Sequence, residues 1–165
     1  TENAEYLWDR ILETGKEDGI KPAGLGARDT LRFEVSLPLY GNELSDSITP
    51  LEAGIGIFVK LDKDNFIGKD ALVKQKKEGL KRKIVGFEMK ERGISRHGYE
   101  VFAEDKKIGE VTTGYRSPSL NKNIGFALID AKYASIGTSI SIKVRNKLLK
   151  AEVVSKKFYN KNYNK

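Results

Sequence analysis

The second half of the chain alternates, and that limits its folding more than anything else in it. From about Lys81 the texture changes: Val85, Phe87 and Met89 are separated by single residues, the period of two that places apolar side chains on one face of a strand. Tyr99 to Ala103 and Lys107 to Thr113 read as two short strands across a polar turn at Glu104 to Lys106. Ile124 to Ile129, Ser139 to Val144 and Leu148 to Ser155 continue the series, the last two joined through Arg145, Asn146 and Lys147. Short strands at such regular spacing predict a small antiparallel barrel or sandwich.

The first half reads differently. Leu7, Trp8, Ile11 and Leu12 lie at helical spacing between Ala4 and Thr14, ahead of Gly15, so an amphipathic helix is expected with Trp8 in the core. Gly19 to Ala23, closed by Pro22, and the alternating Ile55, Ile57 and Val59 are expected strands. Gly68 and Gly79 bracket a helix, KDALVKQKKE. The class is therefore α+β, divided within Gly79 to Lys83 into residues 1–79 and 80–165, and the first unit is short of strands, as if the rest of its sheet lay upstream.

Composition narrows the function classes. A chain of 165 residues can bury a sizeable core, and the absence of cysteine excludes a disulfide scaffold. No apolar run approaches the ~20 residues that span a bilayer. The opening TENAEYLWDR lacks the basic leader and apolar core of a signal peptide, so the chain reads as soluble; having no initiator methionine and opening inside a helical pattern, it also reads as a fragment or processed product. The net charge of +7 invites a nucleic-acid reading. However, the lysines gather in KQKKEGLKRK and in the tail KKFYNKNYNK, away from an aromatic platform, which describes a solvated surface.

The most irregular stretch runs from Lys21 to Gly56, with five glycines and two arginines. Gly24 and Gly26 permit a sharp entry. Ala27, Leu31 and Val35 then recur every four residues, as one face of a short helix does, with Asp29 in its first turn. Arg28 stands beside the helix start. It can hold a carboxylate or the polar edge of a flat heterocycle, or it can pair with a neighbouring acid such as Glu34. Tyr40 and Glu52 are either loop ties or ligand contacts. The lone His97 has no cysteine with which to build a zinc site and no recognisable nucleophile partner. Ser117 lacks a nucleophile-elbow setting and reads as a turn residue beside Pro118.

The string GLGARDTLRFEVSLPLYGNEL, followed by TPLEAGIG, FIGKDAL and TTGYRSPSLNKNIGFALI, resembles the C-terminal half of the glycine cleavage T-protein family, with the blocks in the family's order from about Leu7 to Tyr163. The resemblance implies a three-domain ring around a central folate cavity. Residues 1–79 would form the C-terminal portion of the folate-binding α/β domain and residues 80–165 the C-terminal β-barrel domain. It implies an aminomethyltransferase, which takes the methylamine group carried on the lipoyl arm of the H protein, transfers its one-carbon unit to tetrahydrofolate and releases ammonia. The arginine of the GLGARD block corresponds to Arg28, and the tyrosine of the C-terminal Asn-Tyr pair corresponds to Tyr163, preceded by Asn162. Both are implied folate contacts.

The family's catalytic aspartate and its glutamate-bearing YTGEDGFE-type motif belong to the N-terminal half and are not in this chain. The resemblance thus implies no catalytic residue here, and a chain that alone is inactive and binds folate weakly if at all. The implied partners are the lipoylated H protein and the missing N-terminal half, without metal, nucleic acid or membrane. The implied compartment is the cytoplasm of a bacterium or the mitochondrial matrix of a eukaryote. The alternative is a folate-binding paralogue that assists iron–sulfur enzymes or demethylates other substrates; the run through LYGNEL, TPLEAGIG and SPSLNKNIGFALI favours the glycine-cleavage branch.

Overall fold

The computed structural model describes residues 2–160. Six strands, β1 (Arg82–Met89), β2 (Glu100–Ala103), β3 (Lys106–Arg116), β4 (Asn123–Asp130), β5 (Ser139–Val144) and β6 (Lys147–Val154), close into an antiparallel barrel in the order β1-β4-β3-β2-β5-β6. Closure leaves no open sheet edge. The alternation in the sequence does the sorting: Val85, Phe87 and Met89 meet Val101, Val111, Ala127, Ile129, Ile142 and Val153 inside the barrel. Glu104 and Arg145 turn the β2–β3 and β5–β6 hairpins at φ of 54° and 56°, a left-handed backbone that ordinary side chains seldom adopt.

The barrel departs from regularity at two places on β3 and β4. The β3–β4 register shifts between Val111 and Thr113. Adjacent strand residues normally point to opposite faces; a bulge relaxes this, so Thr112 and Thr113 can serve one partner. Gly125 faces Phe87, and a Cβ there would run into the Phe87 ring and lie 2.8 Å from the Thr113 carbonyl oxygen.

Three helices precede the barrel: α1 (Ala4–Thr14), α2 (Leu25–Glu34) and α3 (Lys69–Glu78). Gly68 and Gly79 flank α3 as expected, both at positive φ. A second apolar cluster lies outside the barrel wall, where Phe33 of α2 and Ile48 and Ala53 of the following loop cover Ile84, Ile124, Phe126 and Leu128. Phe33 is fully buried, its ring 4.9 Å from Phe126, 5.3 Å from Phe158 and 6.0 Å from Tyr115. This aromatic knot seats α2 on the barrel.

Several expectations are corrected. Trp8 is 51% exposed and belongs to no core among the described residues; Tyr6, Leu7 and Ile11 share that exposure, and α1 has no buried residue. Residues 19–23 form no strand. The alternation at Ile55, Ile57 and Val59 becomes a 3-10 helix at Gly56–Phe58, whose amides bond locally from Phe58 to Ile55 and from Val59 to Gly56, and Ile57 is exposed. A strand needs a neighbour to satisfy its backbone, and among the described residues none lies beside these segments.

Candidate functional site

The stretch LGARDTLRFE forms the expected helix, and its aliphatic row is not the buried one. Leu31 is 67% exposed, and the buried residues are Arg32, Phe33 and Glu34. One side of α2 carries Asp29, Arg32 and Phe33 toward the barrel. Leu25, Arg28 and Leu31, spaced three apart, are all exposed, and Arg28 lies one turn before the buried Arg32, at the edge of the inward side. Polar partners from distant segments made the difference.

Arg32 is the centre of the inward side. Its Nε donates to Asp29 Oδ1 at 2.7 Å and its guanidinium reaches Glu43 Oε2 at 2.6 Å, the Leu37 carbonyl at 3.2 Å and Thr113 Oγ1 at 3.0 Å. Glu43 is almost wholly buried; its Oε1 accepts from Thr112 Oγ1 at 2.8 Å and Thr113 Oγ1 at 2.6 Å, and its Oε2 accepts from the Leu39 amide at 3.1 Å. A buried ion pair repays its desolvation only when its remaining lone pairs and protons are also bonded. Here the bulge in β3 supplies both hydroxyls, and Asn42 Nδ2 completes Thr113 at 3.1 Å.

Asp29 joins this network at its edge. Its Oδ2 accepts the Tyr115 hydroxyl, and Arg96 lies over the Tyr115 ring, 5.4 Å from the centroid. Burial by itself would raise the Asp29 carboxyl; the Tyr115 and Arg32 hydrogen bonds, with the charges of Arg32 and Arg28, outweigh it and hold the group below the ordinary carboxylate range. The same bond pushes the Tyr115 phenol up, with burial and the Asp29 charge adding to it. Asp29 is the fifth residue of α2, and its bonds go to side chains rather than to the helix start.

A second tie secures the end of the helix. Ser117 Oγ donates to Glu34 Oε1, the Ser119 amide reaches the same oxygen at 3.0 Å, and Ser119 Oγ reaches Oε2 at 2.6 Å. Burial opposes the charge of Glu34, yet these donors hold its carboxyl below the usual value. Glu34 is therefore not the partner of Arg28, and Ser117, though in a turn, is buried and fastens the β3–β4 loop to α2.

Arg28 is exposed and makes no ion pair among the described residues. Tyr163 lies outside the described residues. Tyr40 is 71% exposed and donates to Asp46 at 2.8 Å, while Glu52 is buried against Arg82 Nε at 3.0 Å and the Thr49 amide at 2.9 Å. His97 Nδ1 donates to the Thr112 carbonyl at 2.7 Å. Among the described residues no group of three or more acidic, histidine or cysteine side chains is placed to hold a metal ion, and no helix is long and apolar enough to cross a membrane. An open cleft of about 670 Å³ lies between Leu51 to Asp62 and α3, lined by Leu51, Ile57, Val59, Leu61 and Leu80 with Lys60 and Lys76. Sequence reasoning missed Arg32, Glu43 and Tyr115. The available signal was three charges, Arg32, Glu34 and Glu43, set within the apolar run LRFEVSLPLYGNEL.

Comparison with known proteins gives concordant matches. The glycine cleavage T-protein C-terminal barrel domain matches residues 82–160, and the GCVT N-terminal domain matches residues 1–63. The aminomethyltransferase of Alkaliphilus oremlandii is 69% identical over 164 residues, covering 99% of this chain and 45% of that protein. That of Thermoanaerobacter pseudethanolicus is 72% identical over 162 residues, covering 98% and 44%. Among solved structures, glycine cleavage system aminomethyltransferase T from Bartonella henselae superposes with a TM-score of 0.85 at 28% identity, over 94% of this chain and 44% of that one. The chain thus spans about 45% of the length of the relatives it matches.

Proposed function

The chain belongs to the glycine cleavage T-protein family, and from that premise we propose that it supplies the folate-facing helix and the C-terminal barrel of an aminomethyltransferase. In this reading residues 1–79 complete the folate-binding domain and residues 80–165 form the barrel domain. The whole enzyme takes the one-carbon unit from the aminomethyl-lipoyl arm of the H protein, passes it to tetrahydrofolate and releases ammonia. The bacterial relatives support a cytoplasmic location.

The observation that carries the reading is the exposed row Leu25, Arg28 and Leu31 along α2. Arg28 stands exposed between Leu25 and Leu31 while every inward charge of the helix is already bonded. A guanidinium offers five fixed donors to a carboxylate or to the polar edge of a heterocycle, and the leucines offer apolar contact for a flat ring. Arg28 holds and orients the acceptor; the carboxylate that stabilises the iminium-like carbon as ammonia leaves comes from the N-terminal half. Tyr163 is the second folate contact. In support, Phe158, five positions before it in the sequence, packs 5.3 Å from Phe33 of α2. A net charge of +7 suits steering toward an acidic H protein.

Titration calorimetry with tetrahydrofolate tests this. Heat is expected when the chain is combined with the N-terminal half, and Arg28→Ala should weaken binding about tenfold or more, ~1.4 kcal/mol. The chain alone should show no transfer activity. Transfer by the purified chain alone, or unchanged affinity in the Arg28 variant, would overturn the reading.

A further inference from the structure

We propose that Tyr115 is a positioning residue for Arg28: by holding Asp29 on the barrel side of α2, its hydroxyl joins Phe33 and Arg32 in fixing the roll of the helix and keeps the Asp29 carboxylate off Arg28, which is left turned outward. The proposal rests on the folate-contact reading of Arg28 and extends it to a residue on β3, in the other half of the chain. Successive helix residues differ by about 100° around the axis, so pinning Asp29 against the barrel fixes the direction in which its neighbour leaves.

Each oxygen of Asp29 is committed, Oδ1 to Arg32 and Oδ2 to Tyr115. Arg32 itself is one turn from Arg28, and like charges at that spacing repel. The carboxylates of Asp29 and Glu43 outnumber Arg32 by one charge, and Arg28 is the outward cation that balances the group. Loss of the Tyr115 hydroxyl frees Oδ2 beside Arg28, loosening the roll and bringing an unbonded carboxylate oxygen to compete with the ligand. The phenol ring packs on Phe33 and lies under Arg96. Tyr115→Phe keeps both contacts and removes the hydroxyl alone.

The test is a double-mutant cycle on tetrahydrofolate affinity and steady-state kinetics, with the N-terminal half present. Tyr115→Phe is expected to weaken affinity about threefold to tenfold and to raise KM for tetrahydrofolate with kcat held, and in an Arg28→Ala background it should cost less than about twofold more. Arg82→Ala, which breaks the distant pair with Glu52, serves as the control: a lowered Tm with unchanged affinity. Tyr115→Phe affinity equal to wild type, or a loss that adds fully to that of Arg28→Ala, would overturn the positioning role and leave the folate contact standing. Unchanged affinity in Arg28→Ala would overturn both.

Discussion

Half-buried Asp29 and buried Glu34 show how a hydrogen-bonded carboxylate becomes a condition on pH. Burial acts to raise both, but hydroxyl, amide and guanidinium donors outweigh it, so each folded-state pKa lies below its unfolded value. The unfolded chain therefore binds protons first as pH falls, and the stabilisation is whole above the unfolded pKa of about 4 and is lost as pH drops through the depressed folded values. Thermal unfolding followed by circular dichroism should show Tm falling below about pH 4, and Asp29→Asn with Glu34→Gln should flatten that fall while lowering Tm at neutral pH. An unaltered acid limb in the double variant would assign acid sensitivity to other groups. The donors themselves were not legible locally. Ser117 read as a turn residue and Arg28 as the possible partner of Glu34; the actual partners of Glu34 stand more than eighty positions away, and no local spacing reports them.

At the scale of elements, alternation was legible and burial was not uniformly so. β5 has the bounds that its pattern indicated, and the others differ by a residue or a few, because every strand of a closed barrel has one face inside and one outside. α2 was legible as a helix but not in its orientation: the aliphatic stripe Ala27, Leu31 and Val35 gave way to Arg32 and Phe33. A charged residue goes inward when carboxylates and hydroxyls await it, and apolar periodicity does not count partners. Gly125 marks a contact that the pattern cannot show, the approach of β4 to Phe87. Gly125→Ala should destabilise the barrel by ~1–3 kcal/mol through overpacking, read as a lowered denaturation midpoint with unchanged slope. Full wild-type stability would mean that the Phe87 ring has room to move.

The whole molecule has a closed, well-packed end and an open one. The barrel and the seat of α2 are complete, whereas α1 leaves Tyr6, Leu7, Trp8 and Ile11 more than half exposed, and the relatives are more than twice as long. Trp8 is the single tryptophan and so reports on this face directly. Its emission in the isolated chain should match a solvated indole and should shift to the blue when the N-terminal half is added; no shift in a combination that binds tetrahydrofolate would show that α1 stays uncovered. The sequence by itself determined the α+β class, the barrel, the three helices and, through GLGARD, LYGNEL and TTGYRSPSL, the family. These depend on the period of apolar residues and on short strings, which are local. Only the tertiary structure decided that Arg32 is buried while Leu31 is not, that Thr112 and Thr113 share Glu43, and that Tyr115 holds Asp29 while Arg28 faces outward. Each of these is a choice of partner between segments far apart in the chain, made by desolvation and hydrogen bonding once the barrel has brought them together.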